Sequence, residues 1–258
     1  MEFEDYLNVT IWINIRVCFP FTILAIGLCC MVHLDHCPVT YYLNLLIANL
    51  VQLITLVVLV LTRDGHNLNL ACLIICCSAA MVSLYFRMII ALERYFFISW
   101  PQLLFIIQTK GSVIICVLVW VLCMVLLPLL ISSGFEISVF VFALIPFPVF
   151  LFCPLGTCIS LPRATSVCAE RKRRIVGTFV LLLVNYGVTI ILPASAFILY
   201  RFYGPYLVTQ IFLTLFLLSS FMDLFLFVFM HEGPIDKVLM CLCCCRMNTS
   251  AVDDGSRL

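Results

Sequence analysis

The chain has 258 residues, of which 65% are hydrophobic and only 10% charged, and its formal net charge at pH 7 is +1. A soluble domain carries about a quarter charged residues, so the composition argues against a soluble fold. A charge this close to zero also gives no field that would attract nucleic acid. The 16 cysteines do not indicate a disulfide scaffold, because most lie in apolar stretches, where a thiol packs as a small apolar group.

Long apolar windows divide the chain. Five of them contain no Asp, Glu, Lys or Arg, namely 39–62, 111–135, 137–162, 175–200 and 202–222. Each exceeds the roughly 20 residues that a helix needs to cross the hydrocarbon core, and a backbone in lipid must satisfy its own hydrogen bonds. Together with two less apolar stretches they predict seven membrane-spanning helices, at 11–32, 40–62, 68–98, 111–133, 137–161, 175–200 and 205–230. The fifth is expected to be kinked by its prolines, Pro146, Pro148 and Pro154.

The basic residues predict the orientation of this seven-helix bundle. With the N-terminus outside, ten of the 14 basic residues fall on the cytoplasmic side, and they are Arg94, Lys110, Arg163, Arg171, Lys172, Arg173, Arg174, Lys237, Arg246 and Arg257. An excess of Lys and Arg marks cytoplasmic loops. We therefore predict an extracellular segment 1–10, a membrane domain 11–230 and a cytoplasmic, membrane-associated tail 231–258. The sequon Asn8-Val9-Thr10 then lies outside, which makes Asn8 a candidate glycosylation site.

The end of the third span carries the most informative motif, the triplet Glu93-Arg94-Tyr95. A charged pair at a membrane border is commonly a snorkelling anchor, so the triplet alone is a weak signal. Its position at the inner end of span three of seven makes it a strong one. Further motifs are Asn44-Leu-Leu-Ile-Ala-Asn49 in span two, Trp120 and Pro128 in span four, and Ser220-Phe-Met-Asp-Leu-Phe-Leu-Phe227 in span seven.

These motifs resemble those of the rhodopsin-like G protein-coupled receptors over nearly the whole chain. The triplet is similar to the family's D/E-R-Y motif, and the span-seven motif to D/N-P-x-x-Y, with Leu224 in place of the proline and Phe227 in place of the tyrosine. Asn49 stands where the family has an aspartate. The span-seven motif and the short loops are similar to those of an orphan-receptor branch near the purinergic-type receptors. A disulfide between the third span and the following outer loop, usual in the family, is not expected, because 131–138 contains no cysteine.

The resemblance implies a plasma-membrane receptor that is neither an enzyme nor dependent on a cofactor or metal. Its partners would be an extracellular ligand, the bilayer and a heterotrimeric G protein, with no nucleic acid. Coupling would involve Glu93, Arg94, Tyr95 and the basic run Arg171, Lys172, Arg173 and Arg174. Cys76 and Tyr186 are candidate ligand-pocket residues. Cys76 stands where aminergic receptors have an aspartate, so an amine ligand is not expected.

Arg87 is the unusual residue of the third span. A charge in mid-bilayer costs at least about 2.5–3.5 kcal/mol on the insertion scale, so it needs a partner. Asp223 is the acid available in the other spans. We therefore expect an intramembrane polar network of Asn49, Ser83, Arg87, Ser219 and Asp223, and we predict no sodium site there, because an arginine supplies the positive charge. The alternative is that Arg87 snorkels without a specific partner.

The tail contributes four cysteines beside the membrane, Cys241, Cys243, Cys244 and Cys245, which are candidate palmitoylation sites. Two other functions remain open. A receptor-like protein that does not couple, and acts as a partner or decoy, is favoured by the altered span-seven motif. A transporter is less favoured, because no paired intramembrane acids or matching broken helices occur in two halves of the chain.

Overall fold

The computed structural model describes residues 2–33, 40–61, 66–132, 141–160, 169–191 and 218–226, and this part of the chain is almost entirely helical. Its main helices are α1 (Glu2–His33), α2 (Thr40–Leu61), α3 (His66–Ser99), α4 (Pro101–Val121), α5 (Phe147–Ser160), α6 (Ala169–Tyr186) and α7 (218–226). A π-helical turn, Leu122–Leu126, and a further helical turn, Leu127–Ser132, continue α4, and a second π-helical turn, Gly187–Ile191, continues α6.

Four of the described helices are long and apolar enough to cross a membrane, with spans at Thr40–Val58, Ile74–Ser99, Gly111–Leu130 and Val141–Ser160. Two shorter apolar stretches, Ile15–Cys30 and Arg174–Ile190, lie in α1 and α6. The described part of the chain therefore fits an all-α membrane protein, as the charge-free windows predict.

Two helices begin nine or ten residues earlier than the predicted spans. The first helix begins at Glu2, so most of the segment predicted as an extracellular N-terminus is helical, and α4 begins at Pro101 rather than near residue 111. Both starts have a local cause. Acidic residues favour the positive end of the helix macrodipole at α1, and Pro101 has the φ angle of a first helical residue. Hydropathy marks the apolar part of a helix and misses such polar extensions.

Of the three prolines expected to disturb the fifth span, Pro146 lies at an interruption, whereas Pro154 lies inside α5, which continues to Ser160. The helix over 141–144 is separated from α5 by a turn at 145–146. Because Pro146 has no N–H, it cannot bond the carbonyl of Phe142 four residues earlier. The hydroxyl of Tyr85 in α3 donates to that carbonyl instead, at 3.0 Å. The broken turn is thus satisfied by a side chain from a neighbouring helix, as a membrane environment requires.

The third helix lies at the centre of the described bundle. Of its membrane-span window 67% is buried inside the protein, against 22% for the window in α4, and it packs against α2, α4, α5 and α6. One face of α4 and of the two helical turns that continue it is apolar and exposed, with Val113, Ile114, Val117, Leu118, Val121, Val125 and Leu129 along it. Such a face is suited to lipid, whereas α3 is suited to carry residues that contact several helices at once.

The second and fourth helices are joined by a polar contact between two of the motif residues. The indole N–H of Trp120 donates to the side-chain oxygen of Asn44 at 3.0 Å, and the amide nitrogen of Asn44 donates to the carbonyl of Thr40 at 2.9 Å. The contact fixes the rotation of α4 about its axis, because a side chain on one defined face must reach Asn44.

Replacing Trp120 by phenylalanine should lower the thermal unfolding midpoint of the detergent-solubilised protein by about 2–4 °C, the shift for about 1 kcal/mol in a protein of this size. The ring is retained while the N–H to Asn44 is lost. Trp100→Phe is the matched control, because the side chain of Trp100 is 62% exposed. Equal shifts for both variants would show that the Trp120 hydrogen bond does not stabilise the fold.

Candidate functional site

The middle of α3 carries a fully buried arginine. Arg87 is 1% exposed, and its guanidinium meets the carboxylate of Asp223 in α7, which is 0% exposed. The Nε–H donates to Oδ1 at 2.8 Å and Nη2 donates to Oδ2 at 2.6 Å. This two-pronged geometry matches the planar fork of the guanidinium to both carboxylate oxygens, which lysine cannot do. The pair joins two helices whose contacting residues are 136 positions apart in the chain.

Neutral groups surround the carboxylate of this ion pair, whereas Nη1 of Arg87 is buried without a hydrogen-bond partner among the described residues. The amide nitrogen of Asn49 in α2 donates to Oδ2 of Asp223 at 2.8 Å, and that of Asn185 in α6 donates to Oδ1, also at 2.8 Å. Nη2 of Arg87 also donates to the hydroxyl of Ser219 at 2.6 Å. Each carboxylate oxygen therefore accepts two hydrogen bonds. A buried charge is tolerated when it is both paired and hydrogen-bonded, and Asp223 meets both conditions.

A second layer of contacts orients the two amides. The hydroxyl of Thr189 shares its proton between the backbone carbonyl of Asn185 at 2.7 Å and Oδ1 of the same residue at 3.0 Å. Nε2 of Gln52 donates to Oδ1 of Asn49 at 3.5 Å. In each amide the oxygen is thus turned toward a donor and the nitrogen toward Asp223. The hydroxyl of Tyr42 donates to the backbone carbonyl of Asp223 at 2.8 Å. One residue of α7 is therefore bonded to α2, α3 and α6.

Four of the five residues expected in the polar network lie in direct contact, namely Asn49, Arg87, Ser219 and Asp223. Ser83 is buried one turn from Arg87, but its hydroxyl donates to the carbonyl of Ala80 in its own helix at 2.8 Å. A serine within a helix commonly bonds back to the preceding turn in this way. Sequence reasoning missed Asn185, although an amide in the charge-free window 175–200 was a signal for a polar contact.

The hydrogen-bond donors around the carboxylate of Asp223 are relevant to whether a metal ion could bind there. They are N–H groups of Arg87, Asn49 and Asn185, and N–H groups do not coordinate cations. Across the described ranges, no cluster of three or more His, Cys, Asp or Glu side chains is placed to hold a metal ion. The absence of a sodium site remains a prediction, to be tested by cation titration.

The Glu93-Arg94-Tyr95 triplet lies in the last two turns of α3. Glu93 is buried, and Arg94 and Tyr95 are half-buried. The ring of Tyr95 lies 5.6 Å from that of Phe96, between centroids, and also covers Gly156 of α5. One turn further on, the hydroxyls of Ser99 and Ser160 are 3.4 Å apart. The end of α3 that carries the triplet is thus held against the end of α5.

The basic run lies at the start of α6, which begins at Ala169. Arg174 is half-buried, and its carbonyl accepts a hydrogen bond from the hydroxyl of Thr178 at 3.0 Å. The side chains of Arg171, Lys172 and Arg173 lie outside the described part of the structure. Asn8 falls within α1, where its side chain is likewise not described, and the four tail cysteines, Cys241, Cys243, Cys244 and Cys245, lie outside the described residues.

The two candidate pocket residues are both buried. Tyr186 is 0% exposed, donates its hydroxyl to the carbonyl of Ala143 at 3.3 Å and packs on Phe150 with ring centroids 4.8 Å apart. Cys76 is 9% exposed in α3. Neither side chain presents free surface to a ligand in this arrangement, so their role in ligand binding remains a prediction. Tyr186 instead belongs to an aromatic contact between α5 and α6.

Comparison with known proteins does not assign the chain to a family. A scan against protein-family models finds no match, and a search of curated proteins finds no similar sequence. The interpretation of this site therefore depends on the motifs and on the geometry of α3.

Proposed function

We propose that the chain is a rhodopsin-like G protein-coupled receptor of the plasma membrane, with seven spans, an extracellular N-terminus and a cytoplasmic C-terminus. In this proposal an extracellular, non-aminergic ligand biases the bundle, and Arg94 contacts a heterotrimeric G protein at the cytoplasmic end of α3. The seven spans combine the four long apolar helices with α1, α6 and the region around α7. The orientation follows from the excess of basic residues on the predicted cytoplasmic side.

The observation that carries the proposal is that one central helix holds both a buried ion pair and the Glu-Arg-Tyr triplet. Arg87 and Arg94 are seven residues apart on α3, which corresponds to about 10 Å along the axis and nearly the same face. Arg87 shares Asp223 with Asn185 of α6. A shift of α6 relative to α3 therefore changes contacts in the bundle centre, and α3 continues from there to Arg94 as one uninterrupted helix.

The position of the basic run also supports a cytoplasmic partner. Positive side chains in the first turn of a helix oppose its macrodipole, so the run Arg171–Arg174 does not stabilise α6 through that interaction. Basic residues beside a membrane bind the anionic inner leaflet and acidic surfaces of partners. In the proposed orientation the run faces the same compartment as Arg94.

A second function, that of a receptor-like partner or decoy that does not couple, is favoured by a specific observation. The carboxylate of Asp223 accepts four hydrogen bonds from three helices, which ties α7 firmly to α2, α3 and α6. Leu224 and Phe227 also replace the family's span-seven proline and tyrosine. A bundle held in one packing would bind other membrane proteins without signalling.

Arg94→Ala separates these two functions. We expect it to reduce ligand-independent nucleotide exchange on a panel of purified heterotrimeric G proteins at least about tenfold, the effect of losing ~1.4 kcal/mol of interaction, at unchanged surface amount. Arg16→Ala is the matched control, because Arg16 is exposed on α1 and stacks over Trp12 at 5.6 Å. Exchange no faster than in membranes without the protein, for any G protein tested, would favour the non-coupling function.

The proposed orientation is tested in cells that express the tagged protein. Epitope tags at the two chain ends should be stained on opposite sides of the intact plasma membrane, with the N-terminal tag outside. Staining of both tags from the same side would contradict the seven-span arrangement and with it the receptor proposal.

A further inference from the structure

Gly156 occupies a special place on α5, because it lies under the ring of Tyr95. A Cβ atom built on Gly156 would lie 2.6 Å from Cε2 of that ring, 3.3 Å from Cζ and 3.4 Å from the hydroxyl oxygen. Real Cβ atoms do not approach other carbons to 2.6 Å. The ring therefore lies against the backbone of α5 only because residue 156 has no side chain.

The contact is part of a repeated approach between α3 and α5. Tyr95 and Ser99 are four residues apart on α3, and Gly156 and Ser160 are four residues apart on α5, so each pair lies on one helix face. The hydroxyls of Ser99 and Ser160 are 3.4 Å apart. Small residues at such positions let membrane helices approach closely. The close approach extends over one full turn next to Arg94.

We propose that Gly156 is a positioning residue for coupling. By accepting the Tyr95 ring it seats the last two turns of α3 against α5, and with them the direction in which the adjacent Arg94 projects. This inference rests on the proposed function. Pre-organisation of Arg94 raises the apparent affinity for the G protein, because a partner binds the competent fraction of molecules. It does not change the rate of exchange once the complex has formed.

Gly156→Ala tests the proposal. The displaced atoms belong to the far end of a flexible side chain, so the ring moves and the helices stay folded. We expect the G protein concentration for half-maximal exchange to rise about three- to tenfold, with an unchanged maximal rate. The matched control is Gly27→Ala, which makes the same change on α1 where a Cβ meets nothing within 4 Å, and it should leave both values unchanged.

A double variant separates positioning from a general packing defect. Tyr95→Leu removes the ring, so Gly156→Ala added to it should cause no further rise in the half-maximal concentration. Additive effects, or a fall in maximal rate with an unchanged half-maximal concentration, would overturn the proposal.

Thermal unfolding in detergent gives a readout that does not depend on coupling. It is measured for the wild type, Gly156→Ala, Tyr95→Leu and the double variant. We expect Gly156→Ala to lower the unfolding midpoint in the presence of Tyr95 and not in the Tyr95→Leu background. If no G protein is activated by the wild type while this thermal pattern holds, the receptor proposal fails and the seating of Tyr95 by Gly156 stands. Equal thermal effects in both backgrounds overturn the inference whatever the coupling.

Discussion

Arg87→Leu should reduce the amount of folded protein at the cell surface about tenfold or more, and combining it with Asp223→Asn should recover most of the loss. The single substitution leaves the carboxylate of Asp223 buried without a counter-charge. Breaking a buried pair in this way typically costs about 3–5 kcal/mol. Asp223→Asn alone should cause a loss of similar size, because it leaves the guanidinium of Arg87 at 1% exposure without a carboxylate.

The surface amount of the double variant is expected to recover because the two substitutions remove both buried charges together. Asn49 and Asn185 donate to different oxygens of the native carboxylate, each at 2.8 Å, and the one side-chain oxygen of an asparagine at position 223 can still accept a hydrogen bond from one of them. Exchanging a buried pair for neutral or apolar groups is often close to neutral for stability. The non-additivity of the two substitutions is therefore the diagnostic quantity.

The measurement is surface staining of tagged protein, normalised to total expression, with thermal unfolding in detergent as a second readout. Arg16→Leu is the matched control, because it removes an exposed arginine on α1 and should change surface staining less than about twofold. Independent losses that add in the double variant would contradict the ion pair and favour an arginine that snorkels without a fixed partner.

The sequence was sufficient to predict the pairing of Arg87 because the cost of an unpaired charge in lipid leaves few alternatives. The neutral neighbours were less predictable. A serine or asparagine within a membrane helix can bond its own backbone or another helix at nearly equal free energy, and measured side-chain hydrogen bonds between membrane helices average only about 0.6 kcal/mol. Ser83 bonds to Ala80 and Asn185 bonds across to Asp223, and periodicity does not distinguish the two.

The same reasoning separates the predictable parts of the fold from the rest. Apolar windows located the helices because the chain in lipid must be helical there. They did not locate the starts of α1 and α4 at Glu2 and Pro101, because polar extensions depend on local capping and charge. The contact between Tyr95 and Gly156 could not be predicted from the sequence either, because a glycine in a span does not indicate which aromatic ring packs against it.

Asn185→Leu should raise ligand-independent G protein activation about three- to tenfold while the surface amount stays within about twofold of the wild type. Leucine has a similar shape and makes no hydrogen bond, so α6 loses its 2.8 Å contact with Asp223. The ion pair between Arg87 and Asp223 is retained, and the fold with it. The expected factor corresponds to about 0.6–1.4 kcal/mol, which spans the usual net value of one hydrogen bond between membrane helices.

The direction of this effect follows from the proposed movement of α6. A bond that exists in only one of two packings stabilises that packing, and removing it shifts the population toward the other. Tyr186, the next residue, stays packed on Phe150 with ring centroids 4.8 Å apart, so the helix remains seated while the central link is lost. The π-helical turn Gly187–Ile191 leaves α6 bonded irregularly just beyond this point, and such turns are among the places where helices bend.

Thr189→Val provides a graded comparison. The threonine hydroxyl shares its proton between the backbone carbonyl of Asn185 at 2.7 Å and Oδ1 of Asn185 at 3.0 Å, and valine keeps the shape without the donor. The amide of Asn185 then loses its fixed orientation but not its reach to Asp223, so activation should rise in the same direction and by less than for Asn185→Leu. Nucleotide exchange on G proteins, with each variant reconstituted, measures the activation caused by Thr189→Val and by Asn185→Leu. If Asn185→Leu instead lowers the surface amount tenfold and leaves exchange per molecule unchanged, the amide holds the bundle together without acting on its switching, and Asp223 is a structural anchor alone.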